Sequence, residues 1–341
     1  MLVPYSGGPI IHCPQIYTSF WGPAWSDPAH TALANQLNQF HADLVASQFM
    51  NVLTQYGMWG SGAFIRATFV SAVPGVMSVS DYQNIIQDCI NAGAFPEPQD
   101  PHTSAGVSLL MIFLDENTII NGGGRELNFP GAPDIGFHDS FTTAAGHPCV
   151  YAFTAYSPDY NFGTVVASHE FAEACTDPLY DAWTPDHAFH EIGDYCEGTN
   201  GTITVSGRTW TVQAEWDDTN NTCSASAPSP IPALTPGPGA AGALQGEVRG
   251  RGPRLAGAIL PYERLLPLPP LHVDLATKTA RMQDQDVYAY GRKVFHPLRH
   301  EHLFQDFPGF LRRAADMLEA RQQPAAPATE EPRRAGSVQR S

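Results

Sequence analysis

Lysine is missing altogether from the first 227 residues of this 341-residue chain, and the same stretch holds only three basic residues, Arg66, Arg125 and Arg208, against 23 aspartates and glutamates. A segment so acidic cannot supply the cationic contacts that displace counterions from a phosphate backbone, which excludes nucleic acid as its partner and favours cations instead. No apolar run reaches the roughly 18–20 residues that a membrane-spanning helix needs, so no span is expected. CxxC pairs are absent, Gly122-Gly123-Gly124 has neither a GxGxxG pattern nor a P-loop lysine, and Ser140, Ser157 and Ser168 stand in no GxSxG elbow. Phosphate-cradling and serine-hydrolase chemistry therefore lose their support, and the triple glycine reads as a turn. Met1 to Gly8 offer neither a basic stretch nor an apolar core, so no signal peptide is visible.

What is present divides the chain in three. Residues 1–227 carry all six cysteines, at 13, 89, 149, 175, 196 and 223, an even number compatible with disulfides whose pairing stays open. Residues 228–243 are dominated by Pro, Gly and Ala and read as a linker. Residues 244–341 form a low-complexity basic tail, with 15 basic and 11 acidic residues, expected to be poorly ordered apart from one amphipathic helix over Gly309 to Arg321. Its His296, His300 and His302 read as solvated side chains.

Hydrophobic patterning in the first part alternates strands and helices. Ile10 to Trp21 reads as a strand, Ser26-Asp27-Pro28 as a helix cap, and His30 to Tyr56 as one long helix with Leu33, Leu37, Phe40, Leu44, Phe49 and Val52 on a single stripe. Ala63 to Val73 gives a second strand, and Asp81 to Ala92 a shorter helix. Val107 to Leu114 is continuously apolar and suits a central strand covered on both faces. Asn117 to His147 reads as a long functional loop. Cys149 to Tyr156 is a fourth strand, Thr164 to Ala174 a helix, and Gly201 to Val212 a hairpin. The fold class is α/β (mixed α+β), a mostly parallel or mixed sheet flanked by helices. The aromatic group Tyr17, Phe20, Trp21 and Trp25 reads as core in preference to a sugar-binding face.

The chemistry centres on Ser168-His169-Glu170-Phe171-Ala172-Glu173. His169 and Glu173 are four residues apart, on one helix face, so both can grip one cation. In HExxH metallopeptidases this spacing supplies two zinc ligands, and the glutamate beside the first histidine is the general base acting on the metal's water. Glu170 holds that position, while Glu173 replaces the second imidazole with a carboxylate, which weakens the Lewis acid. A third ligand is expected from Glu191 first and Asp194 second. His190, beside Glu191, serves only on a loop. The competing reading makes Ser-His-Glu a helix cap. A calcium site from Asp177, Asp181, Asp186 and Asp194 is a further reading, since hard cations take loop oxygens.

Two ordered blocks, Ser168-His169-Glu170-x-x-Glu173-Ala174-x-Thr176-Asp177-Pro178 and Glu191-Ile192-Gly193-Asp194-x-Cys196, with Gly7-Gly8-Pro9 and Phe20-Trp21-Gly22, resemble the phosphate-induced protein 1 (EXORDIUM-like) family, most of all its bacterial and fungal members. The resemblance spans about residues 5–225 and leaves out the tail. It implies an extracellular or cell-surface location, and that His169, Glu170, Glu173, Asp177, Glu191, Asp194 and Cys196 belong to one site. The expectation that follows is a secreted, zinc-dependent, peptidase-like hydrolase with metal ligands His169, Glu173, Glu191 and Asp194 and Glu170 as base. Its alternative is a non-catalytic surface protein in which the same carboxylates hold a structural calcium or zinc and the acidic surface meets a wall polymer or protein partner.

Overall fold

A computed structural model of the chain describes residues 3–58, 62–104, 106–132, 134–184 and 191–234, together with the backbone of four short strands between 268 and 293. The first part is built on a mixed five-stranded sheet. Its strands are β1 (Cys13–Trp21), β2 (Ala63–Val70), β4 (Gly106–Leu114), β7 (Gly136–Thr142) and β8 (Pro148–Thr154), in the order β2-β1-β4-β8-β7. The first four in that order run parallel, and β7 pairs antiparallel with β8.

The period-two alternation of the strands sorts their side chains to two covered faces. Ile16, Phe20, Leu109, Met111, Phe113, Val150 and Ala152 join one buried cluster with residues of α1 (Pro28–Leu44) and α4 (Tyr160–Thr176). Tyr17, Trp21, Leu110, Ile112, Tyr151 and Phe153 join the other with Tyr82, Ile86 and Cys89 of α3 (Val79–Asn91). Trp25 is buried with the first cluster and stacks its edge against Phe20, so the aromatic group is core.

Helix starts follow their sequence signals: Asp27 accepts a hydrogen bond from Ala29 N with Pro28 in the first turn, and Ser78 and Asp81 form a reciprocal capping box. The single helix expected over 30–56 is two. After α1 the chain breaks, and α2 (Phe49–Leu53) and a 3-10 turn (Thr54–Tyr56) follow. Ser47 causes the break, because its hydroxyl donates to Leu44 O and accepts from Phe49 N, replacing helical bonds with local ones.

The expected loop over 117–147 is likewise structured. It contains β5 (Ile119–Gly122), β6 (Arg125–Leu127) and β7, with β5 pairing parallel to β3 (Val76–Met77) and antiparallel to β6 around the Gly122-Gly123-Gly124 turn. The hairpin over 201–212 is present as β9 (Asn200–Val205) and β10 (Arg208–Gln213). It is followed by the pair β11 (Glu215–Asp217) and β12 (Thr222–Ser224).

Residues 227–234 lie against the folded part, where Ala227, Ile231 and Leu234 donate backbone hydrogen bonds to Gln48, Asn51 and Gln55. Tail strands β13 (Leu268–Asp274), β14 (Thr279–Met282), β15 (Gln285–Ala289) and β16 (Arg292–Lys293) continue the sheet beyond β2, a pairing the reading of a loosely ordered tail did not include. The helix expected over 309–321 and the three tail histidines lie outside the described residues. Among the described residues no helix is long and apolar enough to cross a membrane.

Candidate metal centre

α4 starts where Asp159 accepts a hydrogen bond from Asn161 N and stops at Asp177, whose neighbour Pro178 cannot extend it. Its flanks are covered by the sheet and by β10. There Thr164 Oγ1 donates to Thr211 O at 2.7 Å, and Gln213 N donates to Ser168 Oγ at 2.9 Å. His169 and Glu170 therefore sit in the helix interior, which overturns the capping reading of the Ser-His-Glu triplet.

One turn apart on the same face, His169 Nε2 and Glu173 Oε2 are 3.2 Å from each other, and Asp194 Oδ1 lies 3.8 Å from His169 Nε2. Asp194 is carried by a 3-10 turn (Asp194–Cys196) and also accepts a hydrogen bond from Glu191 N. Behind this group stands His138 of β7. Its Nδ1 is 3.9 Å from Glu170 Oε2 and 3.8 Å from Glu173 Oε2, and its Nε2 is 3.7 Å from Glu191 Oε1. Donor atoms of His169, Glu173 and Asp194, and those of His138, Glu170 and Glu173, fall into two groups within each of which all atoms lie inside 4.8 Å of one another.

Two glycines let these elements close. A Cβ at Gly193 would stand 2.6 Å from His169 Nδ1 and 2.8 Å from Glu173 Oε1, and one at Gly136 would stand 2.5 Å from Glu170 Oε1. Gln213 fixes the His169 ring, with its amide nitrogen 2.6 Å from Nδ1 and donating to Gly193 O at 2.9 Å. A cation on Nε2 would take the tautomer with a proton on Nδ1, and the Gln213 amide would then turn its oxygen to that proton and give up its bond to Gly193 O.

The electrostatics are those of a place short of positive charge. Burial pushes the Glu170 carboxyl up to about 8, with Glu173 and Asp194 adding to the rise and His169 opposing it. Burial also drives Glu191 and Glu215 well above the usual carboxylate range, reinforced by their acidic neighbours. His169 is pulled the other way. Burial would lower it, but Glu173, Glu170 and Glu215 together raise it well above an ordinary histidine. For Glu173, burial is outweighed by His169 and His138, and its pKa falls. His138 is lowered by burial despite Glu173. The arginines of the first part bond elsewhere: Arg66 to the carbonyls of Gly93 and Ala94, Arg208 to Asp43, and Arg125 to Tyr180.

Glu170 Oε2, Glu173 Oε1, Glu191 Oε1 and both carboxylate oxygens of Glu215 are buried with no hydrogen-bond partner among the described residues. Buried unpaired carboxylates cost several kcal/mol each, and a cation held by them removes that cost. The donors present, two imidazoles and several carboxylates, therefore fit a divalent metal ion.

Of the residues expected from sequence, His169, Glu173 and Asp194 come together, while Glu191 faces His138. Asp177 caps α4, its Oδ1 accepting from Ala182 N, and burial raises its pKa to about 6. Asp186 of the calcium set and His190 lie outside the described residues. His138 and Glu215 belong to the site without having been expected. A usable signal for His138 is the two-residue alternation of Phe137, Asp139 and Phe141, which places His138 on the opposite face of a strand.

One disulfide, Cys196–Cys223, ties the Asp194 turn to β12, while Cys13, Cys89, Cys149 and Cys175 are free thiols. Comparison of the chain with protein-family models, with curated proteins and with solved structures finds no match.

Proposed function

We propose that the protein is a secreted-type, zinc-dependent hydrolase of peptidase-like chemistry, with His169, Glu173 and Asp194 holding the metal and Glu170 carrying the proton. The observation that carries this reading is a three-donor group that opens to solvent on one side. The His169 side chain is 18% exposed and that of Asp194 35%, while Glu170 and Glu173 beside them are buried.

A metal ion in that group would act as a Lewis acid, polarising a carbonyl and making water more acidic. Glu170 has the right neighbour and the right balance to take up the proton released. Its Oε2 is unengaged, and its pKa near neutrality lets it hold and release a proton at working pH. Mixed imidazole and carboxylate donors favour zinc over calcium, which prefers all-oxygen shells. The disulfide supports an oxidising compartment.

A second reading has its own support, since the same ion would lock α4, β7 and the Asp194 turn together without any reaction, in a surface protein that binds a wall polymer or protein partner. Elemental analysis and a peptide-library assay on the purified full chain separate the two. Bound zinc that is lost in His169→Ala is expected, together with hydrolysis that falls about 100- to 10,000-fold in Glu170→Gln while zinc at His169, Glu173 and Asp194 is kept. Calcium as the sole bound metal, or full zinc with no hydrolysis of any peptide, rejects the catalytic reading.

A further inference from the structure

The two donor groups share one residue. Glu173 Oε2 faces His169 Nε2 at 3.2 Å and His138 Nδ1 at 3.8 Å. Each histidine has its own second carboxylate, Asp194 for His169 and Glu170 for His138. Glu170 is 3% exposed and its Oε2, the oxygen that faces His138, has no hydrogen-bond partner among the described residues.

The His138 ring is prepared for a ligand. Its Nε2 lies 3.3 Å from Asp177 O and 3.7 Å from Glu191 Oε1, so a proton on Nε2 is held there and the Nδ1 lone pair points at Glu170 and Glu173. Tyr180 stacks on the ring at 4.8 Å between centroids and donates its hydroxyl to the His138 carbonyl, which fixes the ring in its plane.

We infer that the centre has seats for two divalent cations, one at His169, Glu173 and Asp194 and a second at His138, Glu170 and Glu173, with the Glu173 carboxylate bridging them. The Asp177 carbonyl is then what positions the second seat, holding His138 through Nε2. The inference rests on the proposed hydrolase only for the consequence that follows. Glu170 cannot both carry a proton and bind a cation through the same carboxylate, so filling the second seat switches hydrolysis off.

The test uses the metal-free full chain and manganese or zinc salts. Equilibrium dialysis should find two bound equivalents, falling to one in His138→Ala and to one in His169→Ala. A single equivalent in the parent chain, or two retained in folded His138→Ala, overturns the inference. Should His138→Ala fail to fold, the parent chain decides. Two manganese ions bridged by one carboxylate give a spin-coupled electron paramagnetic resonance signal, whereas an isolated six-line spectrum at saturation overturns the pair. Hydrolysis reports separately. Two bound ions with no activity at any loading keep the pair and reject the hydrolase, whereas activity that rises with the first equivalent and stays high through the second overturns the inferred switch.

Discussion

Asp43 and Glu215 are both completely buried carboxylates, and the protein treats them in opposite ways. Asp43 receives Arg208 through Nε at 2.7 Å and through a second guanidinium nitrogen at 2.8 Å, Trp210 Nε1 at 2.8 Å, and Gln39 Nε2 at 3.1 Å. Glu215 has no partner on either oxygen among the described residues, and its neighbours in charge are Glu173, Asp194 and Glu170 as well as His169. The chain thus satisfies a buried carboxylate with its own donors where the role is structural. At the centre it holds carboxylates together without them, a difference that a bound cation would account for.

The comparison breaks hardest at Asp43. Asp43→Ala strands the buried Trp210 indole and unpairs the part-exposed Arg208, and urea unfolding should show a loss of about 3–4 kcal/mol that added metal does not recover. A loss below about 1 kcal/mol would place Asp43 among surface-like ion pairs and remove the contrast with Glu215.

Next in size is a second buried polar group on α1. Burial lowers the His41 pKa to about 4, against which its hydrogen bond to Leu37 O works only partly. A histidine whose pKa is depressed in the folded chain stabilises it above the unfolded value of about 6.5, and that contribution is lost as pH falls through about 4. Stability measured by urea between pH 7 and pH 4 should therefore decline about 3 kcal/mol more in the parent than in His41→Gln. Equal slopes in the two proteins would show that His41 takes up its proton without penalty.

The smallest effect sharpens the comparison from the other side. Because the Glu215 pKa is raised, the stability it lends the metal-free protein is present at low pH and is lost as pH rises through the folded value. Metal-free Glu215→Gln should match the parent near pH 4 and exceed it in stability at pH 8, read as a higher Tm. A variant less stable than its parent at both pH values would mean that the carboxylate has a protein partner after all.

How much of this was legible depends on where each residue sits. His169 and Glu173 could be found because a helix converts a spacing of four into proximity, and the Glu191–Asp194 block lies close enough in sequence to supply a third donor. The sheet, too, was readable, since β4 is a run of apolar residues that only a central strand would bury and β1 is rich in Ile, Tyr, Phe and Trp. His138 was hidden because it reaches the centre from an edge strand across the sheet, where no spacing rule links it to α4. Its strand follows the short β5 and β6, whose glycine turn makes the whole segment read as loop. Glu215 lies on a three-residue strand, which Trp216 N joins to Ile192 O. The break after α1 was hidden for another reason. The apolar stripe runs straight through it, and only the hydroxyl of Ser47 interrupts the backbone.

The Cys196–Cys223 bridge sets an order of events for making the protein. Asp194 stands two residues before Cys196, and Cys223 is paired across β12 with Trp216, next to Glu215. Closing this loop of 27 residues holds together two carboxylates that repel one another, an arrangement worth about 3–4 kcal/mol in chain entropy alone. Oxidation should therefore come before loading. A chain produced under reducing conditions would meet a metal ion with half of the centre still free to swing away, so under the proposed reading the redox state during synthesis would govern how much of the protein loads.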